Sequence, residues 1–381
     1  MLVPFAEPIY VTRPFLPPLA DYAAGLEEIW RNVRLTNDGP ILRRFESKLA
    51  RSLGTENLAL FTNGTLALHL ALRGLGIRGE VITTPFTFAA TTHALVWNGN
   101  QPVFADIEPT TYTLDPSAVE AAITPRTGAI LAVHVYGYPC RLEALADLAR
   151  RYRLPLIYDA AHAFGVSVEG RPIGQFGDLS MFSFHATKPF HSIEGGLLVF
   201  GDGKQRRTFD LLRNFGLANE TDVLLPGTNA KMNEFQALMG LQLLDHLDGI
   251  RERRRQIDAL YRDQLGNLPG LRIPPAPSVH VTSNYSYFPV EIEPTEFGAS
   301  RDQLCEFLKG YNVFARRYFY PLVPDFACYR DQFGAVPLPN ARRVASQILT
   351  LPIYDSLALE DVARICAVIR SLERLDRSKR V

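Results

Sequence analysis

Through the first two thirds of the chain, short apolar runs alternate with longer amphipathic stretches, and that alternation leaves few folds open. The runs Asn57–Phe61, Glu80–Thr83, Pro102–Ala105, Ala129–His134, Leu156–Tyr158, Ser180–Ser183 and Leu197–Phe200 are short and mostly apolar, and read as buried strands. Around them, Leu19–Asn32, Thr65–Leu75, Phe88–Trp97, Pro116–Ala122 and Leu142–Arg153 read as helices. In the first, Leu19, Tyr22, Leu26, Ile29 and Trp30 fall on one side. Strands separated by helices need crossover connections, which predicts an open, mainly parallel α/β sheet with helices on both faces.

The last third is less regular. Lys231 to about Arg262 reads as one long helical segment carrying Arg251, Arg253, Arg254 and Arg255, and the Pro-rich passage Pro269–Pro277 reads as a junction. Beyond it come a strand near Tyr285–Val290, a helix Arg301–Lys309, an aromatic run Tyr318–Tyr320 that also reads as a strand, and a helix near Leu359–Leu372. The expected division is a large domain over 1–245 and a smaller one over 246–381. The basic tail Arg374–Arg380 reads as a solvated end.

Charge and cysteine content narrow the function. Lys+Arg and Asp+Glu are 40 each, so no net field draws the chain to nucleic acid or to an acidic membrane. No window approaches 18 uninterrupted apolar residues, and the Pro-studded start, Met1–Pro18, does not read as a signal peptide. Cys140, Cys305, Cys328 and Cys366 form no CxxC pair, which argues for neither a metal cluster nor a disulfide framework. A cytoplasmic protein without membrane or nucleic-acid partners is the expectation. The spacing Gly74-Leu-Gly76-Ile-Arg-Gly79 matches a dinucleotide fingerprint, but it follows a helix and precedes a strand. That order puts no helix N-terminus at a pyrophosphate, so the glycines read as a helix stop.

Sites in such sheets lie beyond the carboxyl ends of the strands. Four loops there carry polar chemistry. Gly64 and Thr65 begin a helix, where free N–H groups and the helix dipole favour a phosphate; a plain capped helix start would use the same residues. Asp159 follows an apolar strand, and a carboxylate there needs a cation or several donors; a protonated pyridine nitrogen would serve, as would a simple capping role. His162 lies on the same side if Asp159–His162 is one helical turn, as a donor to a ring oxygen or as a core histidine. Lys188, on the turn after Ser180–Ser183 and before Glu194-Gly195-Gly196, can form a Schiff base when desolvation lowers its pKa. Phe88 offers a face for a flat heterocycle or for the core.

Together, Thr36-Asn-Asp-Gly-Pro40, Asn63-Gly-Thr-Leu-Ala-Leu68, Asp159-Ala-Ala-His162-Ala-Phe-Gly165 and Ser183-Phe-His-Ala-Thr-Lys188 with Ile193-Glu-Gly-Gly196 resemble the DegT/DnrJ family of pyridoxal-phosphate-dependent nucleotide-sugar aminotransferases. The resemblance implies a fold-type I aspartate-aminotransferase architecture. It has a mostly parallel seven-stranded sheet in the large domain, a smaller C-terminal α+β domain, and a homodimer with shared sites. It implies pyridoxal 5'-phosphate, passing through pyridoxamine phosphate, with L-glutamate as donor and a nucleotide sugar as acceptor, and no metal. Lys188 would carry the cofactor and shuttle protons, and Asp159 would pair with the ring nitrogen. His162 would bond the ring oxygen, and Phe88 would stack on the ring. Gly64, Thr65 and Ser183 would hold the phosphate, with Asn229 reaching it from the partner subunit. The family usually has an aromatic where Thr228 stands and often Arg where Lys231 stands. Ala315-Arg-Arg-Tyr-Phe-Tyr-Pro321 and His185-Ala-Thr-Lys188 resemble members that aminate C4 of dTDP-4-keto-6-deoxyglucose, with Arg316, Arg317, Tyr318 and Tyr320 as sugar-nucleotide contacts. C3 aminotransferases, a dehydratase type with His in place of the lysine, and a silent cofactor-binding regulator are the alternatives. Lys188 argues against the dehydratase, and the neutral charge against the regulator.

Overall fold

A computed structural model describes residues 2–377, with side chains as far as Leu372. Its centre is a seven-stranded sheet of β1 (Leu58–Phe61), β2 (Glu80–Thr83), β3 (Gln101–Phe104), β4 (Thr127–Val133), β5 (Leu156–Asp159), β6 (Leu179–Ser183) and β7 (Gly196–Phe200). The spatial order is β1-β7-β6-β5-β4-β2-β3. β7 runs antiparallel to both of its neighbours, and every other pairing is parallel.

The strands are apolar along their length because helices cover both faces. Ala59, Phe61, Leu198 and Met181 turn toward α3 (Gly64–Gly74), α4 (Ala89–Trp97) and α7 (Gln205–Leu212). On the other face, Leu58, Leu60, Phe182, Leu197 and Val199 meet α1 (Leu19–Asn32), α2 (Pro40–Leu53) and α8 (Glu234–Leu243). Ile82, Ile130, Leu156 and Tyr158 meet α5 (Pro116–Ala122) and α6 (Leu142–Tyr152).

The helical stretch expected over Lys231–Arg262 is two helices, α8 and α9 (Leu247–Leu265), separated at Leu244–His246. No Gly or Pro marks the break; packing makes it. α8 is pinned against α1 and α2, while Ile257, Tyr261 and Leu265 of α9 belong to a separate apolar core. That core is built on the short sheet of β8 (Leu271–Arg272), β9 (Phe288–Ile292) and β10 (Ile348–Leu351), with α10 (Arg301–Gly310) and α11 (Leu359–Arg377). The strand expected at Tyr285–Val290 therefore begins later, at Phe288. Tyr318–Tyr320 is not a strand; Arg316 alone bridges to Thr350. α2, which lies outside the helices expected from the sequence, is amphipathic and buries Ile41, Leu42, Phe45, Leu49 and Leu53. The basic tail Arg374–Arg380 lies beyond the side chains described. No helix among the described residues is long and apolar enough to cross a membrane.

The chain's first residues join the C-terminal core: Phe5 and Ile9 are buried there, and Ile9–Tyr10 pairs parallel with Val313–Phe314. Phe86, Tyr136, Tyr287 and Phe319 form a further core between the sheet and the C-terminal third.

Candidate active site

β5 and β6 end side by side, with Asp159 opposite Met181. Asp159 is only 4% exposed. Its Oδ2 accepts a hydrogen bond from Thr91 Oγ1 at 2.8 Å, and its Oδ1 accepts one from the Ala161 N–H at 3.1 Å. It has no ion pair among the described residues, and burial raises its pKa above the ordinary carboxylate range. The chain then turns without forming a helix: the Ala163 N–H donates to the Ala160 carbonyl at 2.8 Å. This turn, rather than the helical turn expected, brings His162 to the same edge.

His162 is 6% exposed, and its Nδ1 accepts from the Tyr136 N–H at 3.1 Å. With Nδ1 an acceptor, the neutral ring carries its proton on Nε2. Burial, then the charge of Lys188, holds the His162 pKa well below its ordinary value. Tyr136 reaches it from an unusual backbone conformation, φ 56°. A bulky residue in the left-handed region carries a strain of roughly 1–3 kcal/mol. Phe319 stacks beside His162 with ring centroids 5.8 Å apart and planes 3° apart. Asn284 donates to the His162 and Phe164 carbonyls at 2.8 and 2.9 Å, tying this turn to the C-terminal third.

Lys188 follows β6 on a turn closed by its own N–H to the His185 carbonyl, 2.9 Å. The next residues are anchored: the Ser192 N–H donates to Phe184 O, the Phe184 N–H to Gly195 O, and His191 Nε2 bonds the Phe15 carbonyl. Lys188 is half-buried. Burial lowers its pKa to about 8, against the opposing pull of Tyr318 and Asp159 and with a smaller contribution from Arg316. Its Nζ lies 5.8 Å from the Tyr287 ring centroid. Tyr287 in turn stacks on Tyr318 at 5.6 Å, and the Arg316 guanidinium lies 4.5 Å over Tyr318.

The third corner is the start of α3. Asn63 caps it, accepting from the Leu66 N–H at 2.8 Å, and the Ala67 N–H bonds the Asn63 carbonyl. The Gly64 and Thr65 N–H groups precede any intrahelical acceptor and have no partner among the described residues. Gly64 is pressed against β6: a Cβ there would stand 3.0 Å from Ser183 Cβ and 3.2 Å from Ser183 Cα. Phe88 is the N-cap residue of α4, 58% exposed, three residues before Thr91. Asn229 is exposed on a segment whose next carbonyl, that of Ala230, accepts from the Thr62 N–H.

Arg317 and Tyr320 are not brought to this cleft. Arg317 pairs with Asp302 at 2.8 Å and Glu306 at 3.6 Å on α10, and Tyr320 lies under the Arg301 guanidinium. Arg316 and Tyr318 are on the Lys188 side. Thr91, Tyr136 and Tyr287 are neighbours that the sequence reading did not assign to the site, and Phe319, within the aromatic run Tyr318–Tyr320, was read toward the nucleotide sugar rather than beside His162. The cleft of about 1230 Å³ lined by Arg141, Arg171, Pro275 and Tyr285 shares only Tyr136 and Tyr287 with these residues.

Pyridoxal phosphate fits this set on grounds of its own chemistry. Asp159 is a buried carboxylate short of a cation, which a pyridinium N–H supplies. The N–H groups of Gly64 and Thr65 at the start of α3 are unpaired among the described residues, as a phosphate's acceptors require, and the missing Cβ at Gly64 lets the helix start lie against Ser183. His162 presents a fixed N–H donor, and Lys188 has an amine that is easily deprotonated.

A doubly wound sheet with such a lysine and aspartate beyond its strand ends, and a second α+β unit behind them, has the architecture of the fold-type I transferases. The chain belongs to the DegT/DnrJ/EryC1/StrS aminotransferase family, whose model matches residues 20–370. It is 46% identical over 367 residues, 96% of this chain and 100% of that protein, to dTDP-4-amino-4,6-dideoxy-D-glucose transaminase of Shigella dysenteriae. It is 44% identical over 366 residues, 95% of this chain and 98% of that protein, to the Escherichia coli transaminase of the same description. Among solved structures, DesI in the presence of its TDP-sugar product superposes with a TM-score of 0.93 at 38% identity, over 100% of this chain and 97% of that one.

Proposed function

We propose that this aminotransferase moves an amino group from L-glutamate to C4 of a nucleotide-linked keto-deoxysugar, dTDP-4-keto-6-deoxyglucose, giving dTDP-4-amino-4,6-dideoxyglucose. The observation that carries the chemistry is Asp159, a buried carboxylate at the strand end that makes no ion pair among the described residues and feels the charge of Lys188. The names of the two bacterial relatives support the choice of sugar and of C4 over C3.

Bound here, pyridoxal phosphate supplies an electron sink that makes a substrate C–H bond acidic. Asp159 holds the ring nitrogen protonated, so that the sink is deep. Lys188, as its neutral amine, would hold the cofactor, and once free it would act as the base and acid that moves a proton between the substrate carbon and the cofactor. His162 donates Nε2–H to the ring oxygen and stays neutral. Gly64, Thr65 and Ser183 would hold the phosphate, joined by Asn229 from a second copy of the chain; Phe88 would cover the ring, and Arg316 with Tyr318 would line the approach of the nucleotide sugar.

The test is product analysis with a panel of dTDP- and UDP-linked 3-keto and 4-keto sugars, with glutamate as donor and the amine position read by NMR. Amination at C4 of the dTDP-4-keto sugar is expected. Amination at C3, or a preference for a UDP sugar, overturns the assignment.

A further inference from the structure

We propose that Thr91, backed by Thr87, is a positioning residue that keeps Asp159 ionised and turned toward the cofactor's ring nitrogen. The proposal rests on the reading of Asp159 given above.

Thr87 immediately precedes the N-cap of α4, and Thr91 stands in its first turn. Their hydroxyl oxygens are 2.8 Å apart, and Thr91 Oγ1 is 2.8 Å from Asp159 Oδ2. Thr91 is fully buried, and Thr87 is 3% exposed. A hydroxyl has one proton to give. An ionised carboxylate only accepts, so Thr91 must donate to Asp159. The Thr91 oxygen is then left as an acceptor, and Thr87 must donate to it. Both rotors therefore point one way when Asp159 is charged, and that direction favours the anion, which accepts more strongly than a neutral carboxyl. Hydrogen bonds to a charged group are about twice as strong as neutral ones, more so where water is excluded.

The remaining contacts make this pair decisive. Asp159 Oδ1 is steadied by the Ala161 N–H, and Lys188 is the charged group whose field acts on Asp159. When Lys188 is committed to the cofactor as an imine, the hydroxyl relay and one backbone N–H are the protein's own support for the anion. A side chain held at both oxygens also cannot rotate away from the cleft. Valine has nearly the shape of threonine but no hydroxyl, so a Thr→Val change at either position removes the hydrogen bond with little change in volume.

The experiment loads the apoenzyme with pyridoxal phosphate carrying ¹⁵N in the ring and reads the nitrogen's chemical shift, which reports its protonation directly. In Thr91→Val the proton should move from the ring nitrogen toward Asp159, with cofactor binding weakened about tenfold or more. Thr91→Ser should restore both. Thr87→Val, which leaves the Thr91–Asp159 contact but removes the hydroxyl that orients it, should shift the nitrogen part of the way. A wild-type shift in folded Thr91→Val overturns the relay, and so does equal loss in Thr91→Val and Thr91→Ser, which would implicate packing. If Thr91→Val does not fold, a wild-type shift in Thr87→Val overturns it. Asp159→Asn separates the two claims. Wild-type ring protonation in that variant sinks the Asp159 reading itself. Loss in Asp159→Asn with none in Thr91→Val sinks the relay alone.

Discussion

Lys188 and Asp159 are opposed in what burial does to them, and each gives a prediction. Burial brings Lys188 down to about 8, and only its neutral amine is a nucleophile. The rate at which apoenzyme captures pyridoxal phosphate covalently should therefore rise as pH passes about 8 and level off above it. Stopped-flow absorbance measures this; a rise deferred to the ordinary lysine range contradicts the burial argument. Lys188→Ala should still bind the cofactor non-covalently but not turn over. Asp159 is pushed the other way. Its folded pKa lies above the unfolded one, so the folded apoprotein binds that proton more tightly, and stability falls as pH rises through the interval between them. Asparagine cannot ionise. In differential scanning fluorimetry near pH 8, apo Asp159→Asn should melt higher than apo wild type, and the order should reverse with cofactor present. Turnover of Asp159→Asn should fall about a thousandfold, or roughly 4 kcal/mol of transition-state stabilisation.

At the scale of elements, two helix starts matter, and they are satisfied differently. α2 begins with its N–H groups on a remote carboxylate: Glu234 accepts from Ile41 N–H at 2.9 Å and Leu42 N–H at 3.0 Å, while Gly39 leaves room for it. Glu234 is 2% exposed and also begins α8, so one side chain joins two helices. Glu234→Ala removes two bonds to a buried charge and should cost about 2–4 kcal/mol, read from the urea midpoint at unchanged m-value. α3 leaves its first N–H groups open instead, with Gly64 against Ser183. Gly64→Ala should shift the helix start by a few tenths of an ångström. Cofactor affinity should then drop at least tenfold with little change in apo stability. If fluorescence titration finds wild-type affinity, the phosphate does not sit at α3.

At the scale of the whole molecule, the question is whether one chain makes a complete site. Asn229 is exposed, and its segment is bonded to the loop that begins α3. In a two-fold dimer, each chain would lend this side chain to the other's phosphate. Mixing Lys188→Ala with Asn229→Ala subunits then places both lesions in one site of the heterodimer and leaves the other intact. Activity should exceed that of either parent once subunits have exchanged. Activity that stays at the parents' average, with exchange demonstrated, means Asn229 serves its own chain. The segregation of Phe5 and Ile9 into the C-terminal core shows that the chain's ends are packed together.

The strand-and-helix alternation was legible in the sequence because it follows from burial on both faces of a sheet, a local pattern of residue types. The positions of Asp159 and Lys188 were legible for the same reason: one ends β5, the other lies on the turn that follows β6, and the carboxyl ends of parallel strands share one edge. Tertiary packing decided the rest. Nothing local says that Thr91 meets Asp159, 68 residues along the chain, or that Tyr136 and Phe319 flank His162, because those contacts join separate segments. The break between α8 and α9 has no Gly or Pro and exists because the two helices serve different cores. The run Arg316–Tyr320 reads as one aromatic, basic patch. Its division between the Lys188 cleft and the acids of α10 depends on where Asp302 and Glu306 stand, and only the folded chain places them. Side-chain direction in an irregular segment is set by its neighbours in space, which a linear pattern does not carry.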